Sequence, residues 1–468
     1  MKFYLFVLTL PLLFFSGKKT NLSTERAGDP AHLNVILILA DDLGYEVPTV
    51  NGGQSYQTPT LDKMASEGRR FTQCHSSPLC SPSRFALLTG KYNFRNYFNW
   101  GKMGLDQKTI ANMFHDAGYK TLAAGKWQLG GADEGLHTFG FDSYCLWNAT
   151  GHGKEKGSRY KNPTLYVHGA IVPPEQTLNK YGEDIFCDTV LNFMERNKSN
   201  PFFIYYAMVN THDPFSPTPD DKEFSSWDPN QKPNTAFYPS MVKYADKKIK
   251  EIIEKVNQLG LADNTVIIYI GDNGCPKKIL SKWNGQQIAG GKGKITEAGT
   301  HVPCIIWGAK VARGVDSSLL CFQDFFPTLG DIANISSSNY GTLDGISFHP
   351  QIGGLKATPK SWIYNYYRPT EEGDSTLTQW AQNDSYKLEL VGGAYTLRYV
   401  STNAEVANPT PEQQTMRDSL ASVITSMHAE KYFIPSKKGG RNKGDKTGKA
   451  GKGNKGNKTN KETDDNAD

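Results

Sequence analysis

The sequence predicts an α/β fold: a large mixed, mostly parallel sheet sandwiched by helices, followed by a small C-terminal subdomain of antiparallel sheet plus helix. Three observations predict it. Apolar runs of strand length end repeatedly in polar or charged turns, amphipathic stretches of helix length separate them, and beyond Gly345 the pattern changes to short aromatic segments. A length of 468 residues with 38% hydrophobic content is enough to bury a large core.

The chain opens with Met1-Lys2 and an apolar run from Phe3 to Phe15, too short to span a bilayer and charged at its start. Residues 1–17 therefore read as an export signal, which places the protein outside the cytoplasm, secreted or periplasmic. Nothing near Ser16-Gly17 spells a clean small-x-small cleavage site, so the position of the cut stays open. No other stretch is long and apolar enough for a membrane span.

Residues 30–345 form the main domain. Its strands are expected at Asn34 to Ala40, Lys120 to Ala124, Phe202 to Met208, Val266 to Ile270 and Pro303 to Trp307, all continuous apolar runs of the kind buried on both faces. Helical periodicity falls at Thr60 to Glu67, Thr109 to Ala117, Ile185 to Arg196, Ser240 to Leu259 and Cys321 to Ala333. In such sheets ligands gather beyond the carboxyl ends of the strands, so the polar residues just after each run are the ones to inspect. Residues 346–436 form the second unit, with strands at Ser361 to Tyr367, Tyr386 to Val391 and Ala394 to Val400 and a helix from Pro411 to about Ala429.

The formal net charge of +5 misleads, because residues 437–468 are a Lys/Gly-rich tail with almost no apolar residues, disordered by composition. Without that tail the body is nearly neutral or slightly acidic, which argues against nucleic acid as a partner. Cys74, Cys80, Cys145, Cys187, Cys275, Cys304 and Cys321 make an odd set with no CxxC spacing. One of them is unpaired or chemically altered. If that one is Cys80, six remain, and spacing does not fix how they pair.

Cys80 stands in Leu79-Cys80-Ser81-Pro82-Ser83-Arg84, at the predicted start of a helix whose first turn suits Pro82. A helix N-terminus favours an anion or a thiolate. Asp41-Asp42 ends the first strand, and Gly271-Asp272-Asn273-Gly274 directly follows another. Carboxylates and an amide oxygen without His or Cys make a hard, all-oxygen set suited to Ca2+ or Mg2+.

Cys-x-Pro-Ser-Arg followed by Leu88-Thr89-Gly90-Lys91 resembles the signature of the type I, formylglycine-dependent sulfatases of the alkaline phosphatase superfamily. Further segments resemble that family in order along the chain: Gly125-Lys126-Trp127-Gln128-Leu129-Gly130, His212-Asp213-Pro214, Lys292 through Glu297-Ala298-Gly299 to Val302-Pro303, and Asp324-Phe325-Phe326-Pro327-Thr328-Leu329. The likeness covers the chain from about Asn34 to Asp344. It implies a sulfuric ester hydrolase in which Cys80 is oxidised by a formylglycine-generating enzyme and its hydrate is the nucleophile. It implies Ca2+ held by Asp41, Asp42, Asp272, Asn273 and the modified residue 80, with Mg2+ the other candidate. Arg84 would orient the formylglycine, Lys126 and Lys292 would grip sulfate oxygens, and His212 or Lys292 would assist the departing alcohol. Gln128, and by a looser likeness Thr150, would touch the substrate.

Three departures accompany the resemblance: Gln128 where the family has histidine, Ala298 for glycine and His301 for arginine. Only Gln128 touches the chemistry, since an amide can hydrogen-bond the hydrate but cannot take its proton. The stretches Thr150 to Pro173, with Lys154, Lys156, Arg159, Tyr160 and Lys161, and Pro217 to Pro239 are long, polar and suited to selecting a sugar. A sulfated carbohydrate is expected over a steroid, because no apolar hairpin follows the export signal. Asn148-Ala149-Thr150 is also a glycosylation acceptor in a eukaryotic host. Two other readings fit the same residues: a phosphodiesterase or phosphonate monoester hydrolase of the same superfamily, and an inactive glycan-binding protein, for which Gln128 is the sequence argument.

Overall fold

The computed structural model describes residues 32–96, 101–150, 157–357, 360–368 and 377–429. The export signal, the basic tail and Lys154 and Lys156 lie outside the described residues. All described residues belong to one compact unit.

A ten-stranded sheet forms the body. Its members in chain order are β1 (Asn34–Ala40), β2 (Arg69–His75), β3 (Lys120–Lys126), β4 (Ser143–Trp147), β5 (Tyr166–Val167), β6 (Ala170–Ile171), β7 (Phe202–Ala207) and β8 (Thr265–Gly271). A two-stranded ribbon follows, β9 (Leu280–Trp283) and β10 (Gln286–Ala289), and then β11 (His301–Gly308) and β12 (Gly314–Cys321) complete the large sheet. The spatial order is β12-β2-β11-β8-β1-β7-β3-β4-β5-β6. β8, β1, β7, β3 and β4 run parallel, and β11 turns antiparallel to β8 and β2.

Every residue of β1 is buried, because alternate side chains enter two different cores. Val35, Leu37 and Leu39 pack on one face with Phe203, Tyr205 and Ile268. Ile36 and Ile38 pack on the other with Ile204, Tyr206 and Ile267. Helices cover both faces: α1 (Pro59–Glu67), α2 (Cys80–Thr89), α3 (Ile110–Asp116), α4 (Ala132–Thr138), α5 (Gly182–Asn197), α6 (Tyr238–Gln258) and α7 (Phe325–Ile332). The predicted strands and helices are all present. β2, β4 and β12 were not expected, since RRFTQCH and GVDSSLLC carry charged and polar residues on an edge-side position where one face stays partly open.

The second sheet is antiparallel and four-stranded, in the order β13 (Ile363–Tyr367), β14 (Thr378–Gln382), β15 (Tyr386–Val391) and β16 (Ala394–Tyr399). Helix α8 (Pro411–Ala429) closes one face, packing Leu420, Val423 and Ile424 onto Tyr364, Ala381, Leu388 and Leu397. Tyr92, just past α2, joins this core, and Ile363 packs on Leu319 and Cys321 of β12. The small sheet is thereby fixed beside the segment that carries Cys80.

All seven cysteines are free and buried, so the six beyond Cys80 form no disulfides. The odd count expected from sequence has a simpler basis: these thiols act as small apolar side chains of the core. No helix among the described residues is long and apolar enough to cross a membrane.

Candidate active site

The site is assembled at the carboxyl ends of β1, β8 and β3, as a doubly wound sheet requires. β1 delivers Asp41 and Asp42, β8 delivers Asp272 and Asn273, and β3 ends on Lys126. Gly125 before Lys126 has φ +98°, and a Cβ there would lie 1.9 Å from the Ala207 carbonyl oxygen of β7. Only glycine allows the two strands to close at this point.

Cys80 is the first residue of α2, a helix buried along its whole length. Its start is tied by Ser83 Oγ, which donates to Leu79 O at 2.8 Å. It stops at Gly90, in the left-handed region at φ 66°, whose N–H returns to Ala86 O. One turn on from Cys80, Arg84 is fully buried and donates through Nε and Nη2 to Asp272 Oδ2 at 3.1 and 2.8 Å. Its Nη1 holds the Lys126 carbonyl oxygen at 3.3 Å, linking α2 to both strand ends.

Lys126 Nζ lies 3.0 and 2.9 Å from the two oxygens of Asp41. Asp42 is met by Lys292 Nζ at 3.0 Å, and its other oxygen accepts from Asn273 Nδ2 at 2.8 Å. Lys292 Nζ also stands 2.8 Å from His212 Nε2. The opposite ring nitrogen, Nδ1, faces the Asp213 carbonyl, which only accepts, so Nδ1 carries the proton and Nε2 receives one from Lys292. The segment bearing His212 is pinned by Glu183 of α5, which accepts from the N–H groups of Val209 and Asn210 at 3.0 and 2.9 Å and from the Tyr206 hydroxyl. Burial pushes Glu183 up to about 7.

The carboxylates differ in charge state. Burial acts to raise Asp41, yet Lys126, His212, Arg84 and Arg159 together hold it well below the usual range. Burial and the neighbouring Asp41 charge push Asp272 up to about 7 against the pull of Arg84 and Lys126. Burial also raises the Cys80 thiol, a rise that Lys126 and Lys292 partly offset.

These residues fit a hard cation. Ligand atoms of Asp41, Cys80 and Asp272, and of Asp41, Asp42 and His212, form two buried groups whose members lie within 4.8 Å of one another. Asn273 adds the telling detail. Its Nδ2 is spent on Asp42 and on Gly274 O, while its fully buried Oδ1 has no hydrogen-bond partner. A buried acceptor left unpaired beside three carboxylates is what an oxygen-liganded cation would satisfy.

The structure therefore brings together Asp41, Asp42, Cys80, Arg84, Lys126, His212, Lys292, Asp272 and Asn273. Gln128, two residues past Lys126, is 2% exposed with φ 53°, and its Oε1 is unpaired. Thr150 is half-buried beyond the end of β4 and enters none of these contacts. Arg159 differs most from expectation. It is not solvated but lies buried, 3.9 Å over the Trp147 ring and 3.7 Å from Asp41 Oδ2. Its basic neighbours in sequence concealed it, because nothing local distinguishes a buried arginine from solvated ones.

The sulfatase family model matches residues 33–335. The chain belongs to the sulfatase family. It is 27% identical over 408 residues to the arylsulfatase of Hemicentrotus pulcherrimus, covering 79% of this chain and 72% of that one. To the N-acetylgalactosamine-6-sulfatase of Homo sapiens it is 30% identical over 386 residues, covering 75% and 72%. Among solved structures, Ps i-CgsB in complex with k-i-k-neocarrahexaose superposes with a TM-score of 0.70 at 22% identity, covering 85% of this chain and 92% of that one. A sulfatase is a sulfuric ester hydrolase, and the Cys80 segment and both acidic pairs lie inside the matched region.

Proposed function

We propose that this sulfatase hydrolyses sulfate esters of carbohydrates, with Cys80 converted to formylglycine and Ca2+ bound by Asp41, Asp42, Asp272 and Asn273. The observation that carries the reading is the convergence of Cys80, at the start of a buried helix, with the Asp41 and Asp272 carboxylates. The similarity to the N-acetylgalactosamine-6-sulfatase of Homo sapiens supports a carbohydrate substrate. An export route fits the apolar start of the chain.

A sulfate ester is anionic throughout its hydrolysis, so the residues around it must supply positive charge without surrendering it. Lys126, held on Asp41, and Lys292, held on Asp42, provide that charge, and Arg84 fixes Asp272 and the backbone of Lys126. When formed, the hydrated aldehyde at position 80 supplies a nucleophilic hydroxyl whose geminal partner can later collapse to expel sulfate. The cation, when bound, adds charge for the sulfate oxygens. Lys292 holds a proton between His212 Nε2 and the Asp42 carboxylate, where it can be given to the departing sugar oxygen. Gln128 offers its free carbonyl oxygen as an acceptor to a hydroxyl of the hydrate but cannot remove the proton, which leaves that task to His212 or water.

Mass spectrometry of the tryptic peptide Phe71 to Arg84, from protein made in a host that matures a control sulfatase, tests the reading. The expected result is an aldehyde or its hydrate at position 80, with release of sulfate from an aryl sulfate faster than of phosphate from an aryl phosphodiester. A thiol at position 80 beside a converted control would sink it. Faster phosphodiester cleavage would instead move the chain to the phosphohydrolase reading.

A further inference from the structure

A cleft of about 550 Å3 opens at the segment that follows Lys292. Lys294 and Thr296 of that segment form one wall. Tyr367 of β13, Glu389 of β15, Arg398 of β16 and Asn403 form the other. The volume lies in the range of about 300–1,000 Å3 typical of small-molecule sites. Its lining is mixed: the charged groups of Lys294, Arg398 and Glu389, an amide and hydroxyls stand beside the apolar surfaces of Ile295 and the Tyr367 ring.

We propose that this cleft between the Lys292 segment and the C-terminal sheet binds the second sugar of a sulfated oligosaccharide, the residue linked to the one that carries the scissile sulfate. The inference rests on the carbohydrate sulfatase reading and deepens it. Arg398 donates through Nε to Glu389 at 2.9 Å and through Nη1 to Asn403 O at 3.3 Å, so its planar head is held rigid while 28% of the side chain stays open. A fixed guanidinium beside a carboxylate presents neighbouring donors and acceptors, which matches the vicinal hydroxyls of a pyranose. Arg398 and Glu389 offset each other in charge, and exposed Lys294 leaves the cleft with a positive balance that favours a polyanionic chain.

Tyr367 joins the cleft to the reacting centre. Its ring lines the cavity, and it lies two residues beyond Asn365 on β13. The same strand touches the nucleophile's segment directly: Asn365 Nδ2 donates to Ser76 O at 3.1 Å, and Ser77 Oγ donates to Asn365 Oδ1 at 3.1 Å. The strand whose Tyr367 lines the cleft is thus hydrogen-bonded to the segment that leads into Cys80.

The test is calorimetric binding to the full-length Cys80→Ser protein with calcium present, using mono- and tetrasaccharides prepared from chondroitin 6-sulfate and from ι-carrageenan. The expected result is that at least one tetrasaccharide binds about tenfold more tightly than its own monosaccharide. Arg398→Ala and the surface variant Lys294→Ala should each collapse that ratio toward one. A panel in which no tetrasaccharide gains over its monosaccharide overturns the proposal, as does a gain that survives both substitutions. Aryl sulfate turnover by the matured wild type reads the sulfatase assignment separately: its loss with the binding pattern intact would remove the activity and leave the cleft standing.

Discussion

The two sheets of this molecule bury their residues by different means, and the difference divides the labour of the site. The ten-stranded sheet is covered on both faces, so β1 and β8 are apolar throughout and turn polar only at their ends. Its polar groups are concentrated at one point, where they hold charge. The four-stranded sheet is packed on one face by α8 and spends its other polar side chains on the loop beyond Lys292. Lys387 of β15, 2% exposed, donates to Ile295 O and lies 4.0 Å from Glu297. One sheet carries the proposed catalytic residues, and the other braces the loop beyond Lys292.

The contrast is sharpest if substitutions in the first sheet abolish turnover without unfolding the protein. Cys80→Ala should lower sulfate release by on the order of 10^3-fold or more, while the melting temperature stays near that of wild type. Sulfate assay and calorimetry on one preparation check both, and a protein that retained a tenth of its activity would break the division.

The acidic cluster proposed to hold the cation gives a pH-dependent version of the same test. Asp272 has its folded-state value raised to about 7, so its protonated form favours folding at low pH, and that contribution is lost as pH rises toward and through 7. Asp41 is lowered, and its contribution disappears only in acid, below the ordinary carboxylate range. Calcium-free protein should therefore lose melting temperature between about pH 4 and 7, and added calcium should restore more of it at the upper end of that window. Binding must displace the Asp272 proton, so calcium affinity should rise over that window. Asp272→Asn should flatten the calcium-free profile and remove the calcium response; thermal melts across pH with calcium and with chelator would show it.

The second sheet predicts a smaller, mixed effect. Burial pushes His75 down to about 3, so it is uncharged at neutral pH and leaves Lys387 as the charged partner of Glu297. Lys387→Met should destabilise the protein by about 1–3 kcal/mol and reduce turnover by several-fold through Lys292. Denaturant melts alongside kcat and KM measure this, and an unchanged kcat would deny the small sheet any positioning role. The smallest change expected is a gain: Gln128→His places an imidazole where the resemblance puts a histidine and should raise kcat a few-fold, with a new dependence near the histidine range.

Much of the first sheet was legible in the sequence because its strands are unbroken apolar runs. β1 was read to its ends, and β7 and β8 to within a residue. The same logic failed for β2 and β12, whose Arg69–Asp316 pair at 2.7 Å can be satisfied only across strands far apart in the chain. In the second sheet β14, TQWAQ, offers too few apolar residues to announce itself. The acidic pairs were legible for a local reason: they sit directly after strands. The meeting of Lys292 with His212, and of Arg159 with Asp41, depends on the path of the chain between them and leaves no trace in spacing. Asp324 shows the converse. Its segment was recognisable, but its work is structural, accepting from Cys321 N and Ile346 N while Lys360 pairs with it.

The burial of Cys80 has a consequence for how the protein comes into being. With 2% of its surface open and a helix built on it, the thiol is beyond the reach of any enzyme once the chain has closed. If Cys80 is converted to formylglycine as proposed above, that conversion is a race against folding, run once for each molecule. A molecule that folds first is complete in shape and permanently silent, and no later treatment short of unfolding can repair it. The specific activity of a preparation thus records the history of its synthesis, and two batches with identical melting curves can differ in it without limit.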